Sequence, residues 1–317
     1  MRVARVALDG IARTAVVAGD ALRVLVGAVS VLDLLEAEAK ERERLAAQVD
    51  AEHPIGALPL LAPIVPATIR DFSVFEQHIE GVVRNADPAA RVPTLWYESP
   101  FCYFSNPHAV TGPGEDIPVP PGCADLDFEL EVAAIIGRAG RDIAPAQAGA
   151  HIAGYTIYND WSARDLQIAE MRLGLGFCKG KDFANTLGPW IVTPDELDPL
   201  RRGDRLDLSM RSQRNGELIG SDTLANMAWS FEELVAYASR GTWVRPGDVL
   251  GSGTCGGGCL LELWGRRGRD GLPPLGDGDV VSLEVEGIGT LENRVVGGRD
   301  PVPLPPARRR RGAEPRP

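Results

Sequence analysis

"DLDFELEV", residues 125–132, places an acid at every odd position and an apolar residue at every even one. Side chains of a strand alternate between faces, so Asp125, Asp127, Glu129 and Glu131 would share one face and Leu126, Phe128, Leu130 and Val132 the other. Like charges on one face repel. The continuation "AAIIG" is apolar on both faces, the pattern of a strand entering a core. Two readings stay open at this point: a solvated acidic face on an edge strand, or a buried face with a positive partner opposite.

The rest of the chain bounds the answer. Its 317 residues are 44% hydrophobic, enough to fill a sizeable core, while 36 glycines, 25 prolines and only 6% aromatics suit a turn-rich, largely β architecture. The net charge of -11, from 44 acids against 33 bases, argues against a nucleic-acid surface and leaves small molecules as the expected partners. Five cysteines at irregular spacings and no signal-peptide pattern lead to the expectation of a cytoplasmic protein with reduced thiols. Cys255 and Cys259 of "CGGGC" read as small buried residues in a Gly-rich turn. No apolar run is long enough to span a bilayer, so no membrane partner is expected.

Three segments are expected along the chain. Residues 1–66 form a small N-terminal domain and linker: short β pieces ("VARVAL", "ALRVLVGAV"), a helix over "VLDLLEAEAKERERLAAQ", and an extended, proline-spaced connection "HPIGALPLLAPIVP". Residues 67–298 alternate short strands with turns, with helices near "SARDLQIAEMR" and "SFEELVAYASR", and form the main domain. Residues 299–317, rich in Pro and Arg without apolar period, form a disordered tail.

Chemistry-bearing residues gather in three stretches. In "YNDWSARDLQ", residues 158–167, Ser162 and Asp165 have capping-box spacing that starts a helix at Ser162, and Arg164 and Gln167 then point the same way. In "LGFCKGKDFANTLGP", Lys179 and Lys181 sit among glycines without the order of a phosphate loop, surface lysines being the bland alternative. In "IRDFSVFEQHI", Asp71 and His78 are seven apart and share a face if the stretch is helical.

Together, "IRDFSVFEQHI", "LDFELEVAAIIG", "GYTIYNDWSARDLQ", "LGFCKGKDFANTLGPWIV" and "VLGSGTCGGGCLLEL", in that order, resemble the fumarylacetoacetate hydrolase family from about Pro59 to Val296. The resemblance implies a β-rich α+β fold, a catalytic domain of mixed β-roll type with a small N-terminal β domain, assembled as a homodimer. It implies Glu129, Glu131 and Asp160 as metal ligands with Asp71 as a fourth, which answers the opening question: a divalent cation offsets the repulsion. An all-carboxylate set suits Mg²⁺ or Mn²⁺, with Ca²⁺ as a third candidate, better than zinc. Asp125 and Asp127 are left outside the ligand set, at the strand's start, where solvation or a turn role suffices. His78 is implied as general base with Glu262 orienting it, Arg164, Gln167 and Lys181 as donors to developing negative charge, and Thr254, with Gln167 and Lys181, as substrate contacts. Two departures bear on substrate: Ser73 stands where fumarylacetoacetase has a substrate-binding Tyr, and its substrate-binding Arg has no aligned match, Arg84 being only nearby. The implied activity is metal-dependent hydrolysis of a carbon–carbon bond in a β-diketone or acylpyruvate-like keto acid. The alternatives are β-keto acid decarboxylation, 2-hydroxydienoate isomerisation or hydration at the same site, and a non-catalytic metal- or ligand-binding protein.

Overall fold

The computed structural model describes residues 1–174 and 176–308. Its main element is a twelve-stranded mixed sheet whose path runs Val49–Pro54, Ala21–Leu25, Ile11–Ala18, Arg2–Leu8, Asn185–Val192, Ile152–Asp160, Leu130–Ile136, Asp248–Gly251, Thr68–Phe72 and Cys102–Ser105. Leu60–Leu61 and Val110–Thr111 pair off this path. Most neighbours are antiparallel, but Asp248–Gly251 runs parallel to Thr68–Phe72, with Gly251 opposite Asp71. A second sheet of five strands contains Ser209–Arg214, Glu217–Thr223, Val280–Val285, Gly289–Val296 and Ile117–Pro118. With few helices, the fold is a β-rich α+β one, as the pattern of short strands and turns implied. No helix among the described residues is long and apolar enough to cross a membrane.

Leu130–Ile136 is buried along its whole length and serves two cores at once. Leu130, Val132, Ala134 and Ile136 join the large core between the sheets, while Ala133 and Ile135 pack with Tyr158, Ile191 and the helix residues Val31, Leu34 and Leu35. A strand covered on both faces needs apolar residues at both parities, which "VAAII" supplies. Glu131 lies on the second of these faces, at the end of the strand nearest the site described below.

The structure corrects the sequence reading in four places. Residues 125–132 are not one strand: Leu126–Asp127 pairs with Ser162–Ala163, and the ladder resumes only at Leu130. The break arises because side chains take the backbone donors there, Asp127 Oδ1 accepting from Phe128 N at 2.8 Å and Asn159 Oδ1 from Glu129 N at 3.0 Å. The helix after Ser162 starts at Arg164, because Ser162 is in the short strand and its hydroxyl donates to the Asp160 carbonyl, 3.0 Å away, leaving no cap for Asp165. Asp71 and His78 do not share a helix face: Asp71 is in strand Thr68–Phe72 and His78 in helix Glu76–Ala86. Finally, the long charged helix divides into Val31–Glu36 and Ala39–Ala46 at an extended Ala37; the first half buries Val31, Leu34 and Leu35, whereas the second has no fully buried residue and packs only Leu45 and Ala46 partly against the core.

The proline-spaced stretch after that helix is partly sheet, with Ala21–Leu25 paired to Val49–Pro54 and Arg5–Val6 to Leu60–Leu61. Residues 299–308 carry no helix or strand and are exposed where the tail was expected, and 309–317, with most of its Arg cluster, lie outside the described residues.

Candidate metal centre and its surroundings

Four carboxylates converge where the central strands end. Asp71 comes from Thr68–Phe72, Glu131 from Leu130–Ile136, Asp160 from the last position of Ile152–Asp160, and Glu129 from the break before Leu130. All four are buried, and each offers an oxygen within 4.8 Å of the others. Gly251 makes the approach possible, since a Cβ there would lie 2.4 Å from Asp71 Oδ1 and 2.9 Å from Glu131 Oε2.

The charges are not balanced by the protein. Asp71 Oδ1, Glu131 Oε1 and Asp160 Oδ1 are buried without a hydrogen-bond partner among the described residues. Burial raises the carboxyl of Asp71, raises that of Glu131 far above its ordinary range with Asp71 adding to the rise, and pushes Asp160 up to about 7 against the pull of Lys181. Glu129 differs: burial opposes its charge, but Arg164 and Lys181 outweigh burial and hold its carboxyl well below the usual range. Orphaned oxygens facing one another in an all-oxygen donor set fit a hard divalent cation, which removes the repulsion and supplies the missing partner. Asp71, Glu129, Glu131 and Asp160, the expected ligands, are thus brought together.

Lys181 closes the cluster on one side. It is buried, its Nζ 2.6 Å from Glu129 Oε2 and 2.5 Å from Asp160 Oδ2, whereas Lys179 is a surface residue paired with Asp182. Tyr103, which sequence reading missed, reaches in from the edge strand Cys102–Ser105: its hydroxyl lies 2.7 Å from Asp71 Oδ2 and also contacts Asp160 Oδ2. Nothing in "FCYFS" marks that tyrosine as different from its neighbours; only strand pairing, Asp71 opposite Tyr103, reveals it.

Arg164 is buried behind the cluster and its guanidinium is largely engaged. Nε and Nη2 donate to Asp127 Oδ2 at 2.9 and 2.8 Å, Nη2 donates to Glu129 Oε1 at 2.6 Å, and Nη1 donates to Gln167 Oε1 at 3.0 Å. Asp127, expected at the strand's start in a solvated or turn role, is fully buried and also accepts from the amides of Leu260 and Leu261, so it caps helix Leu260–Arg267. The alternation of acids could not show this, because the partner lies 37 residues along the chain. Asp125, by contrast, makes a partly exposed pair with Arg269.

His78 and Glu262 meet across two packed helices, Glu76–Ala86 and Leu260–Arg267. Glycines allow the approach: a Cβ on Gly81 would lie 2.3 Å from Glu262 Cγ, and one on Gly265 would lie 2.0 Å from the Gly81 carbonyl oxygen. His78 Nδ1 is 3.4 Å from Glu262 Oε2, an oxygen that accepts from Gly257 N at 2.7 Å, and is 3.7 Å from Cys259 Sγ. Cys255 and Cys259 are both buried, as read from the Gly-rich turn. Thr254 is buried in the turn after Asp248–Gly251, and Gln167 is buried beside Arg164.

Comparison with known proteins places this geometry. Residues 67–296 match the family model described as fumarylacetoacetate (FAA) hydrolase, C-terminal. Protein Rv2993c of Mycobacterium tuberculosis is 32% identical over 274 residues, covering 83% of this chain and 92% of that protein. The human mitochondrial oxaloacetate tautomerase FAHD2A is 32% identical over 203 residues, 63% of this chain, and the match spans 60% of its own length. Among solved structures, fumarylacetoacetate hydrolase from psychrophilic Exiguobacterium antarcticum superposes with a TM-score of 0.72 at 29% identity, over 94% of this chain and all of that one.

Proposed function

The chain belongs to the fumarylacetoacetate hydrolase family, and from that premise we propose that it is a divalent-metal-dependent hydrolase cleaving a carbon–carbon bond of a β-diketone or acylpyruvate-like acid. The observation that carries this reading is the group of orphaned carboxylate oxygens beside a histidine backed by a buried glutamate. Asp71, Glu129, Glu131 and Asp160 hold the ion, Mg²⁺ or Mn²⁺ with Ca²⁺ as third candidate, and when bound it supplies positive charge for the negative charge developing on a dicarbonyl substrate.

The chain's own groups do the rest. The Glu262 carboxylate, 3.4 Å from His78 Nδ1, favours the tautomer protonated at that nitrogen and leaves Nε2 to accept a proton from water. Lys181 donates to charge at the reacting carbonyl, and Gln167 and Thr254 orient the substrate. Arg164, with its donors engaged by Asp127, Glu129 and Gln167, acts as a positioning residue that holds Glu129, in place of the direct donor role the resemblance implied. The catalytic unit in this reading is 67–298, in a cytoplasmic homodimer.

A second reading, proton transfer between carbon and oxygen of an oxo acid without bond cleavage, is favoured by the similarity to a tautomerase. Incubation of Mg²⁺-loaded protein with acylpyruvates, oxaloacetate and hydroxydienoates, with products identified by mass and NMR, distinguishes them. Two acid fragments support hydrolysis, carbon dioxide means decarboxylation, and an isomer of unchanged mass supports the second reading. His78→Gln lowers hydrolytic turnover by about 10²- to 10⁴-fold if its imidazole activates water. Near wild-type cleavage by that variant contradicts the assignment.

A further inference from the structure

Next to the all-oxygen cluster is a second group of donors of different chemistry: the His78 imidazole, the Cys259 thiol and the Glu262 carboxylate, all buried and with ligand atoms within 4.8 Å of one another. We propose that these three residues form a separate site for a thiophilic divalent cation of the zinc class, and that its occupancy inhibits the enzyme by withdrawing His78. The inhibitory half rests on the assignment of His78 as base; the binding half does not.

Geometry carries the proposal. With bonds of about 2.3 Å to sulfur and about 2.0–2.2 Å to nitrogen or oxygen, a tetrahedral zinc-type ion holds its ligand atoms roughly 3.3–3.6 Å apart. His78 Nδ1 is 3.4 Å from Glu262 Oε2 and 3.7 Å from Cys259 Sγ, so two edges of that tetrahedron are already formed without movement of either helix. The glycine contacts at Gly81 and Gly265 hold the helices in that relation. Arg266 pairs with the other carboxylate oxygen, Oε1, at 3.0 Å, which leaves Oε2 as the oxygen facing His78.

Donor type then separates the two sites. The carboxylate cluster contains neither sulfur nor nitrogen and suits hard ions, whereas an N, S, O set is what zinc and cadmium select. Burial, reinforced by Asp127, keeps the Cys259 thiol protonated in the absence of a cation. Coordination reverses that balance and releases the thiol proton to solvent, and the His78 proton moves from Nδ1 to Nε2 as Nδ1 becomes the ligand, which removes the base. Sγ already accepts from Glu262 N at 3.4 Å at the start of helix Leu260–Arg267, a position that favours negative charge on sulfur. The simpler use of the same contact is a weak hydrogen bond between thiol and imidazole, which binds no ion.

Cadmium titrated into the protein in excess Mg²⁺ distinguishes these, because Mg²⁺ fills the hard site and forms no thiolate charge-transfer band. The expected result is an ultraviolet thiolate-to-cadmium band saturating at a single ion per chain, lost in Cys259→Ser and unchanged in Cys178→Ser, which removes the exposed cysteine. His78→Gln, which keeps the thiol, binds at least about tenfold more weakly and carries the test if Cys259→Ser fails to fold. A band unaltered in Cys259→Ser, or lost in Cys178→Ser, overturns the site. For inhibition, Zn²⁺ in excess Mg²⁺ stops turnover of whichever oxo acid the wild type consumes. In Cys259→Ser, measured against its own rate in Mg²⁺ alone, the inhibitory concentration rises at least about tenfold. Binding without inhibition overturns the inhibitory half, and a protein inactive on every oxo acid contradicts the proposed reaction while leaving the cadmium result to stand or fall by itself.

Discussion

The acids of one short stretch end in two unlike environments. Asp127 is buried against Arg164 and three backbone amides, so the fold itself satisfies it. Glu131, four residues on and equally buried, faces Asp71 and Asp160 with an oxygen that has no hydrogen-bond partner among the described residues. Glu129 lies between them and joins the two, taking Arg164 on one oxygen and Lys181 on the other. The difference separates structural from functional carboxylates. A buried acid whose hydrogen bonds are complete holds the scaffold, and one whose burial leaves its charge unpaired marks the place where the chain depends on something it does not encode.

Breaking the satisfied side has the largest expected effect. Arg164→Met leaves Asp127 and Glu129 buried without their cation and lowers stability by about 3–5 kcal/mol, read from denaturant unfolding. A loss below about 1 kcal/mol contradicts the role given to this pair. On the unsatisfied side, Mn²⁺ at 100 times its dissociation constant stabilises the wild type by about 2.7 kcal/mol, and Glu131→Gln loses most of that gain. Thermal unfolding with and without the ion measures both.

The raised carboxyls set a pH dependence of the metal-free protein. Asp71, Glu131 and Asp160 all titrate above their ordinary values in the folded state, so the unfolded chain gives up protons first as pH rises. Their contribution to stability is full below the ordinary carboxylate range and is lost with rising pH, for Asp160 between its ordinary 3.8 and about 7. A divalent ion competes with the same protons, so its stabilising effect grows with rising pH through that window. A metal-induced shift in Tm that is flat from pH 5 to 7 contradicts this. The smallest effect is that of Glu131→Gln in chelator, where relief of repulsion keeps stability unchanged or raises it by on the order of 1 kcal/mol.

What sequence reading could reach follows the same division. The all-apolar run "VAAII", the helices at "SARDLQIAEMR" and "SFEELVAYASR", and the ordered segments that resemble the family led to the β-rich α+β fold and to Asp71, Glu129, Glu131 and Asp160. The pairing of His78 with Glu262, 184 positions apart, came through resemblance, since no local pattern contains it. Periodicity failed where distant side chains compete for the backbone. Asn159 takes the amide of Glu129 and Asp127 takes its own neighbour's, so the alternating stretch breaks in two. The burial of Asp127 is not legible in the sequence because a carboxylate's partner is invisible until the fold brings Arg164 to it, and Tyr103 escapes because its position depends on which strand pairs with Thr68–Phe72.

The central claim is that Asp71, Glu129, Glu131 and Asp160 hold one divalent ion that completes the site. Calorimetric titration of Mn²⁺ into chelator-stripped protein, for the wild type and Glu131→Gln, tests it most directly. The expected result is a single ion per chain bound with release of protons below pH 7, and affinity at least about tenfold weaker in the variant. Equal affinity and stoichiometry in the two proteins would show that the ion binds elsewhere.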